Sequence, residues 1–196
     1  VPVYPLTGLP ITDEAAAARP AMVVKIDNNS RARPQSGLNA ADIVFEEIVE
    51  AQTRFAAVFH SQGSDPVGPI RSGRAQDIDL LGSLNRPLFV WSGGNPGVTK
   101  AIEASDLIDL SAQHNEVYTP GGFYRNKERS SPHNLYAQTS MLWTLAPADA
   151  APPQQQFTYL AAGVAAVGEA AAGVDLVMDG LDVGWRYDAT TGRYLR

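Results

Sequence analysis

The sequence predicts a mixed α/β fold: an antiparallel or mixed sheet with flanking helices, followed by a small, incomplete β-rich module at the C-terminal end. Three observations lead there. Strand-length runs rich in β-branched and aromatic residues, such as Ala21 to Ile26 and Ile43 to Val49, alternate with stretches of helical periodicity such as Arg74 to Leu84. No window approaches the ~18 apolar residues of a spanning helix, and the longest soft stretch, Leu160 to Val177, is broken by Gly163, Gly168, Glu169 and Gly173. The 196 residues suffice for one domain with a small appendage.

In chain order, the first twenty residues carry Pro2, Pro5, Pro10 and Pro20 and read as an extended strap. Asp13 offers an N-cap to a short helix over Glu14 to Ala18. Ala21 to Ile26, closed by Asp27-Asn28-Asn29, reads as a largely buried strand. Ile43 to Glu50 and Thr53 to Ser61 read as a hairpin joined by Ala51-Gln52. Arg74 to Leu84 places Ile78, Leu81 and Leu84 on one helix face, and Pro87 to Trp91 is a short strand. Pro96 sits near the start of a helix ending near Ala104. Ser105 to Leu135 has little periodicity and reads as a long loop with short elements, a usual place for function. Thr139 to Leu145 is a short helix. The Ala/Pro/Gln-rich stretch 147–156 divides a domain at 1–146 from a partial module at 157–196. There, Val174 to Met178, Val183 to Tyr187 and Arg193 to Arg196 read as strands, the last two joined by a turn over Asp188 to Gly192. The chain stops inside an expected strand, which suggests truncation or a pairing partner.

Composition narrows the function. The net charge of −6 argues against nucleic-acid binding, which needs a basic face. The richest basic stretch, Tyr124 to Arg129, carries Arg125, Lys127 and Arg129 against Glu128. Cysteine is absent, which removes disulfides, a catalytic thiol and every thiolate metal site. Val1 opens the chain without a charged or apolar leader, so a signal peptide would have to be removed or lie outside it.

Candidate chemistry gathers in four places. Along the first hairpin strand, Glu46 and Glu47 lie among apolar neighbours, and a buried carboxylate needs a partner or a raised pKa. With a two-residue turn, Glu47 falls opposite Ala56, with Arg54 diagonal to it on the same face as His60. That pattern fits either a Glu47–Arg54 ion pair or a pocket acid. Second, Val67 to Arg74 puts Arg71 and Arg74 around a Gly-Pro turn before a helix, as in an anion site. Pairing with Asp77, Asp79 or the hairpin glutamates is the alternative. Third, Ser92-Gly93-Gly94 lies between a strand and a helix, where amides can cradle an anion or a turn simply needs small residues. Fourth, Ser131 to Tyr136 holds His133 and Asn134 in a loop, with Arg125 and Arg129 upstream. His133 there is an acid, a base, a metal ligand or a structural tie. No nucleophile elbow, His-Glu-x-x-His, EF-hand or P-loop pattern occurs.

Several segments in order carry a resemblance: Pro5 to Pro10, Arg19-Pro20, Val24 to Asn28, Ala32 to Leu38, Ala41 to Val44 with Glu46-Glu47, and Thr53 to Phe55. Val67 to Ser72, Ser92 to Gly94 and Pro132 to Tyr136 complete the set. Together, over about residues 5 to 145, they resemble the YerB-like bacterial lipoproteins, a family of unknown function. Trp185 to Asp188 and Gly192 to Tyr194 resemble the start of that family's smaller C-terminal β domain.

The resemblance implies a lipid-anchored or secreted protein on the outer face of the bacterial cytoplasmic membrane, and it brings no reaction. Any membrane contact would pass through a lipid anchor absent from this chain. The leading expectation is an envelope binding or scaffolding module for an anionic ligand, glycan or envelope protein. Its ligand-contacting candidates are Arg54, Arg71, Arg74, Ser92, Gly93, Gly94 and Asn134, beside Glu47 and His133. The alternative is an envelope hydrolase or transferase acting on glycan or phosphodiester bonds. In that case Glu47 or Asp27 is the base and His133 the acid, within ~3 Å of each other directly or through one water. Metal-dependent stabilisation through Asp27, Glu46 or Glu47 is a weaker third. No cofactor and no metal centre is expected.

Overall fold

The computed structural model describes residues 1–161 and 163–196. Its main sheet has five strands in the order β2-β3-β1-β4-β5. They are β1 (Met22–Asp27), β2 (Ile43–Val49), β3 (Gln52–Phe59), β4 (Leu88–Trp91) and β5 (Ile108–Ser111). β3 runs antiparallel to both β1 and β2, whereas β4 runs parallel to β1 and β5 parallel to β4. The sheet is therefore mixed. β1 lies at its centre with all six residues buried, Lys25 and Asp27 included, which explains why its sequence shows no alternation.

Each face of the sheet carries its own core. One face packs Met22, Val24, Ile26, Phe55, Ala57 and Val90 against Leu135, Ala137 and Leu142. The other packs Val23, Ala56, Val58, Phe89 and Trp91 against Leu81, Leu84, Ile102 and Leu6. The second face is covered by α2 (Gln76–Leu81) and α3 (Pro96–Glu103), and α3 is capped by Asn95, whose side chain accepts from the Val98 amide. α1 (Glu14–Ala18) is capped by Asp13, as its sequence predicts, and α4 is Thr139–Trp143. A two-stranded hairpin, β6 (Tyr124–Arg125) and β7 (Leu135–Tyr136), brackets the loop that carries His133.

Two expectations change. The hairpin turns at Glu50-Ala51, with Glu50 at φ 60°, so that Gln52 belongs to β3. This moves the register, and Glu47 stands directly opposite Arg54 while Ala56 faces Phe45. Second, the stretch read as loop from Ser105 contains β5, a parallel edge strand too short to show periodicity.

The C-terminal module is a three-stranded antiparallel sheet of β8 (Gly173–Met178), β9 (Leu181–Asp188) and β10 (Arg193–Leu195). Asp179 and Gly180 join its first two strands at φ 49° and 79°, the positive values a mirror-image hairpin turn requires. The stretch 147–156 lies against the residues just before β4: Asp149 pairs with Arg86 at 2.9 Å, and Pro152 O accepts from Asn85 at 2.9 Å.

Candidate functional site

The extended segment Val67 to Arg71 brings the site together. It is stitched to the end of β1 by Asp27 N–H to Pro69 O (2.9 Å) and Arg71 N–H to Lys25 O (2.9 Å). On its other side Ile70 N–H donates to Leu135 O at 2.7 Å, and Val67 bridges Ala137. Close packing needs glycine here. A Cβ on Gly73 would lie 2.8 Å from the Trp91 ring, and Gly68 adopts φ 146° with Leu135 O 2.9 Å from its Cβ position. This segment therefore sets β1, Arg71 and the β6–β7 loop side by side.

The result is a pair joining residues far apart in sequence. His133 Nδ1 lies 2.7 Å from Asp27 Oδ2, and the Asp27 side chain is fully buried. Asp27 Oδ1 accepts the Asn29 amide at 2.9 Å, which fixes the carboxylate plane. Arg71 Nε lies 3.2 Å from the same Oδ2, an ion pair without hydrogen-bond alignment. An ionised Asp27 beside Nδ1 favours the tautomer with hydrogen on Nδ1, leaving the Nε2 lone pair free. Nε2 has no protein partner among the described residues.

His133 lines an open cleft of about 520 Å³ whose other walls are Arg31, Arg33, Glu128, Arg129, Ser130 and Ser131. Arg129 pins the two walls together, donating to Ala32 O and Pro34 O at 2.8 Å each. Arg33 bonds Asn28 Oδ1 at 3.0 Å, and the exposed Arg31 side chain has no partner among the described residues. Three arginines and a histidine against one glutamate make this cleft locally basic on a chain of net charge −6.

A second charged group lies on the same sheet face. Asp27, Arg54 and Glu47 form one row across β1, β3 and β2. Arg54 donates to Ser72 O at 3.0 Å rather than to Glu47. Burial, and then Arg74 and Arg71 nearby, lower its pKa to about 10. Glu47 instead takes Lys25, which reaches diagonally over the small Ala56 and also meets Asp77 Oδ1 at 2.6 Å. Asp77 Oδ2 accepts the Arg74 amide at 2.7 Å. Burial, and then Asp77, push the Glu47 carboxyl above its ordinary range despite Lys25. Neither a Glu47–Arg54 pair nor a Glu47–His133 pair forms. Lys25 pairs with Glu47 Oε1 inside the protein, and Glu47 Oε2 is buried without a partner among the described residues.

The remaining candidates disperse. Arg74 pairs with Glu50 at 2.9 Å. Asn134 ties its own loop, accepting from Arg125 at 2.9 Å and donating to Arg129 O at 3.3 Å. Ser92 N–H donates to Arg71 O at 3.0 Å, Gly93 adopts φ 98° against Gln113, and Gly94 O accepts from the Thr99 hydroxyl at 3.5 Å. These are turn contacts. His60 is fully buried with neither ring nitrogen bonded, and burial lowers its pKa.

The carboxylates considered for a metal stay apart, since Glu46 accepts from Thr53 at 2.5 Å and pairs with Arg196. Glu103, Asp109 and His114 do group elsewhere, with His114 Nε2 3.6 Å from Asp109 Oδ2. Sequence reading missed Lys25, Asp77 as its partner, and the wall arginines Arg31 and Arg33. A lysine inside the run Met22–Ile26 was the available signal, because a buried ammonium needs counter-charges.

Comparison with known proteins places this geometry in a family. The model of the DUF3048 N-terminal domain, described as a protein of unknown function, matches residues 6–152. The Bacillus subtilis protein named "Putative lipoprotein YerB" is 40% identical over 133 residues, covering 67% of this chain. The chain spans 39% of that relative's length. The crystal structure of YerB from Bacillus subtilis superposes with a TM-score of 0.78 at 28% identity, covering 99% of this chain and 66% of that one. The chain belongs to the DUF3048 family. Among the described residues, no helix is long and apolar enough to cross a membrane.

Proposed function

We propose that this DUF3048 member is an extracytoplasmic cell-envelope module, lipid-anchored or secreted, that holds an anionic ligand in the cleft between residues 31–33 and 128–133. One observation carries the reading. The imidazole of His133, oriented by the buried Asp27 at 2.7 Å, stands in a cleft walled by Arg31, Arg33 and Arg129. Guanidinium groups present paired donors that match carboxylate and phosphate oxygens. The envelope setting is supported by similarity to a relative whose name makes it a lipoprotein.

The rest of the domain serves this cleft. Lys25 is taken up inside the protein by Glu47 and Asp77, so it adds no accessible positive charge to the cleft. Thermal denaturation with inorganic phosphate, sulfate, citrate and a neutral disaccharide tests the reading. At 100 times Kd, a ligand stabilises by ~2.7 kcal/mol, several degrees for a domain of this size. Anions should raise Tm at constant ionic strength and the disaccharide should not. Equal shifts with every additive, or none, would remove the anion site.

A further inference from the structure

Resting on that reading, we propose that the cleft also cleaves its ligand: it is a phosphodiester hydrolase in which His133 moves the proton and Asp27 is the positioning residue. The geometry supplies three parts of a proton-transfer site. An acceptor is ready, because with Nδ1–H directed to Asp27 at 2.7 Å the unpartnered Nε2 is a base. An orienter is fixed, because Asp27 is fully buried and held by the Asn29 amide at 2.9 Å. Charge stabilisers stand beside them, because Arg31 and Arg33 line the same cleft as His133. The pair that positions the imidazole for binding also leaves it able to accept a proton and to be stabilised once charged.

A phosphodiester suits the site better than a glycosidic bond. Glycoside hydrolysis ordinarily uses two facing carboxylates, whereas Glu128 is the one carboxylate among the cleft-lining residues, and Asp27 is buried behind His133. Phosphoryl chemistry instead needs positive charge around the non-bridging oxygens. Water is the nucleophile. Its oxygen forms a new bond to phosphorus while Nε2 takes its proton. The bond from phosphorus to the leaving oxygen, in line with the attacking one, breaks. The departing alkoxide takes its proton from solvent, and the imidazolium releases the proton it took to solvent. Asp27 stays ionised and stabilises the imidazolium. Nothing is oxidised or reduced.

The test uses bis(p-nitrophenyl) phosphate as the diester probe and p-nitrophenyl acetate as a control for general esterase activity. Phosphate affinity is measured by calorimetry on the same samples. Wild-type protein should release nitrophenolate from the diester, and His133→Gln should lower kcat by about 100-fold or more while retaining folding by circular dichroism. Arg31→Ala should lower kcat as well as raise KM. Asp27→Asn, where it folds, should displace the acidic limb of the pH–rate profile, which a merely structural role would not do. Phosphate binding without diester turnover, or turnover equal in His133→Gln, overturns the hydrolase and leaves the binding module standing. Loss of phosphate binding in the wild type overturns both.

Discussion

Asp27 Oδ2 and His133 Nδ1 are 2.7 Å apart although 106 residues separate them in the chain. The segment Val67 to Arg71 makes this possible by bonding to Asp27 on one side and Leu135 on the other. The pair joins the end of the central strand to a loop, and it meets solvent at an arginine-lined cleft. That combination differs from a core ion pair, which needs no opening.

Arg31 is the cleanest probe of the cleft because its side chain holds no other group among the described residues. Arg31→Ala should weaken phosphate binding about tenfold, the equivalent of ~1.4 kcal/mol, with little change in stability. The effect should shrink as salt rises. Calorimetric titration at two ionic strengths checks it, and unchanged affinity would exclude Arg31 from the site.

Lys25 is the point of greatest structural risk. Its ammonium is fully buried between Glu47 and Asp77, so Lys25→Met leaves two carboxylates facing each other without a counter-ion. Removing one partner from a buried pair typically costs ~3–5 kcal/mol. Glu47→Gln should be much milder, because Asp77 still pairs with Lys25. Adding Glu47→Gln to the Lys25→Met variant should recover part of the loss. Denaturant midpoints of the single and double variants decide this.

Two groups give stability a pH dependence of opposite sign. Burial and then Asp77 raise the Glu47 pKa above 4.5, so its contribution is full below 4.5 and is lost as pH rises through the higher folded value. Glu47→Gln should flatten that decline. Burial lowers the His60 pKa below 6.5, so its contribution is full above 6.5 and is lost as pH falls toward the lower folded value. His60→Leu should remove the second slope. Denaturation midpoints between pH 4 and 8 test both, and parallel curves for wild type and variants would contradict the assignments.

The strands and helices were legible where pattern and punctuation agree. Asp13 before Glu14–Ala18, Pro96 at the start of α3 and the buried run of β1 all lie where local chemistry placed them. The hairpin register was not legible, because a turn at Glu50-Ala51 rather than Ala51-Gln52 depends on a left-handed Glu50 that no residue preference signals. β5 was hidden because four residues at a parallel edge offer too short a pattern. In the site, Asp27, Arg71 and His133 could each be named from sequence as a polar group at a strand end or loop. A carboxylate within ~3 Å of His133 was expected, with Glu47 and Asp27 as alternatives; that it is Asp27, with Arg71 beside it, depends on the path of Val67 to Arg71, which no local pattern signals. For Glu47 the sequence offered Arg54 as a partner, or a pocket role, because hairpin neighbours are all that local pattern reveals. The lysine that neutralises it lies two strands away, across Ala56.

The most direct measurement follows the three histidine side chains by NMR during titration with inorganic phosphate. His60 is buried and His114 stands beside Asp109 and Glu116, so each reports on a separate environment. Saturable movement of the His133 ring signals, with Nε2 shifting more than Nδ1 and the other two rings still, is the expected result. A still His133 alongside a binding isotherm, or movement at His114 instead, would contradict an anion site at the Asp27–His133 cleft.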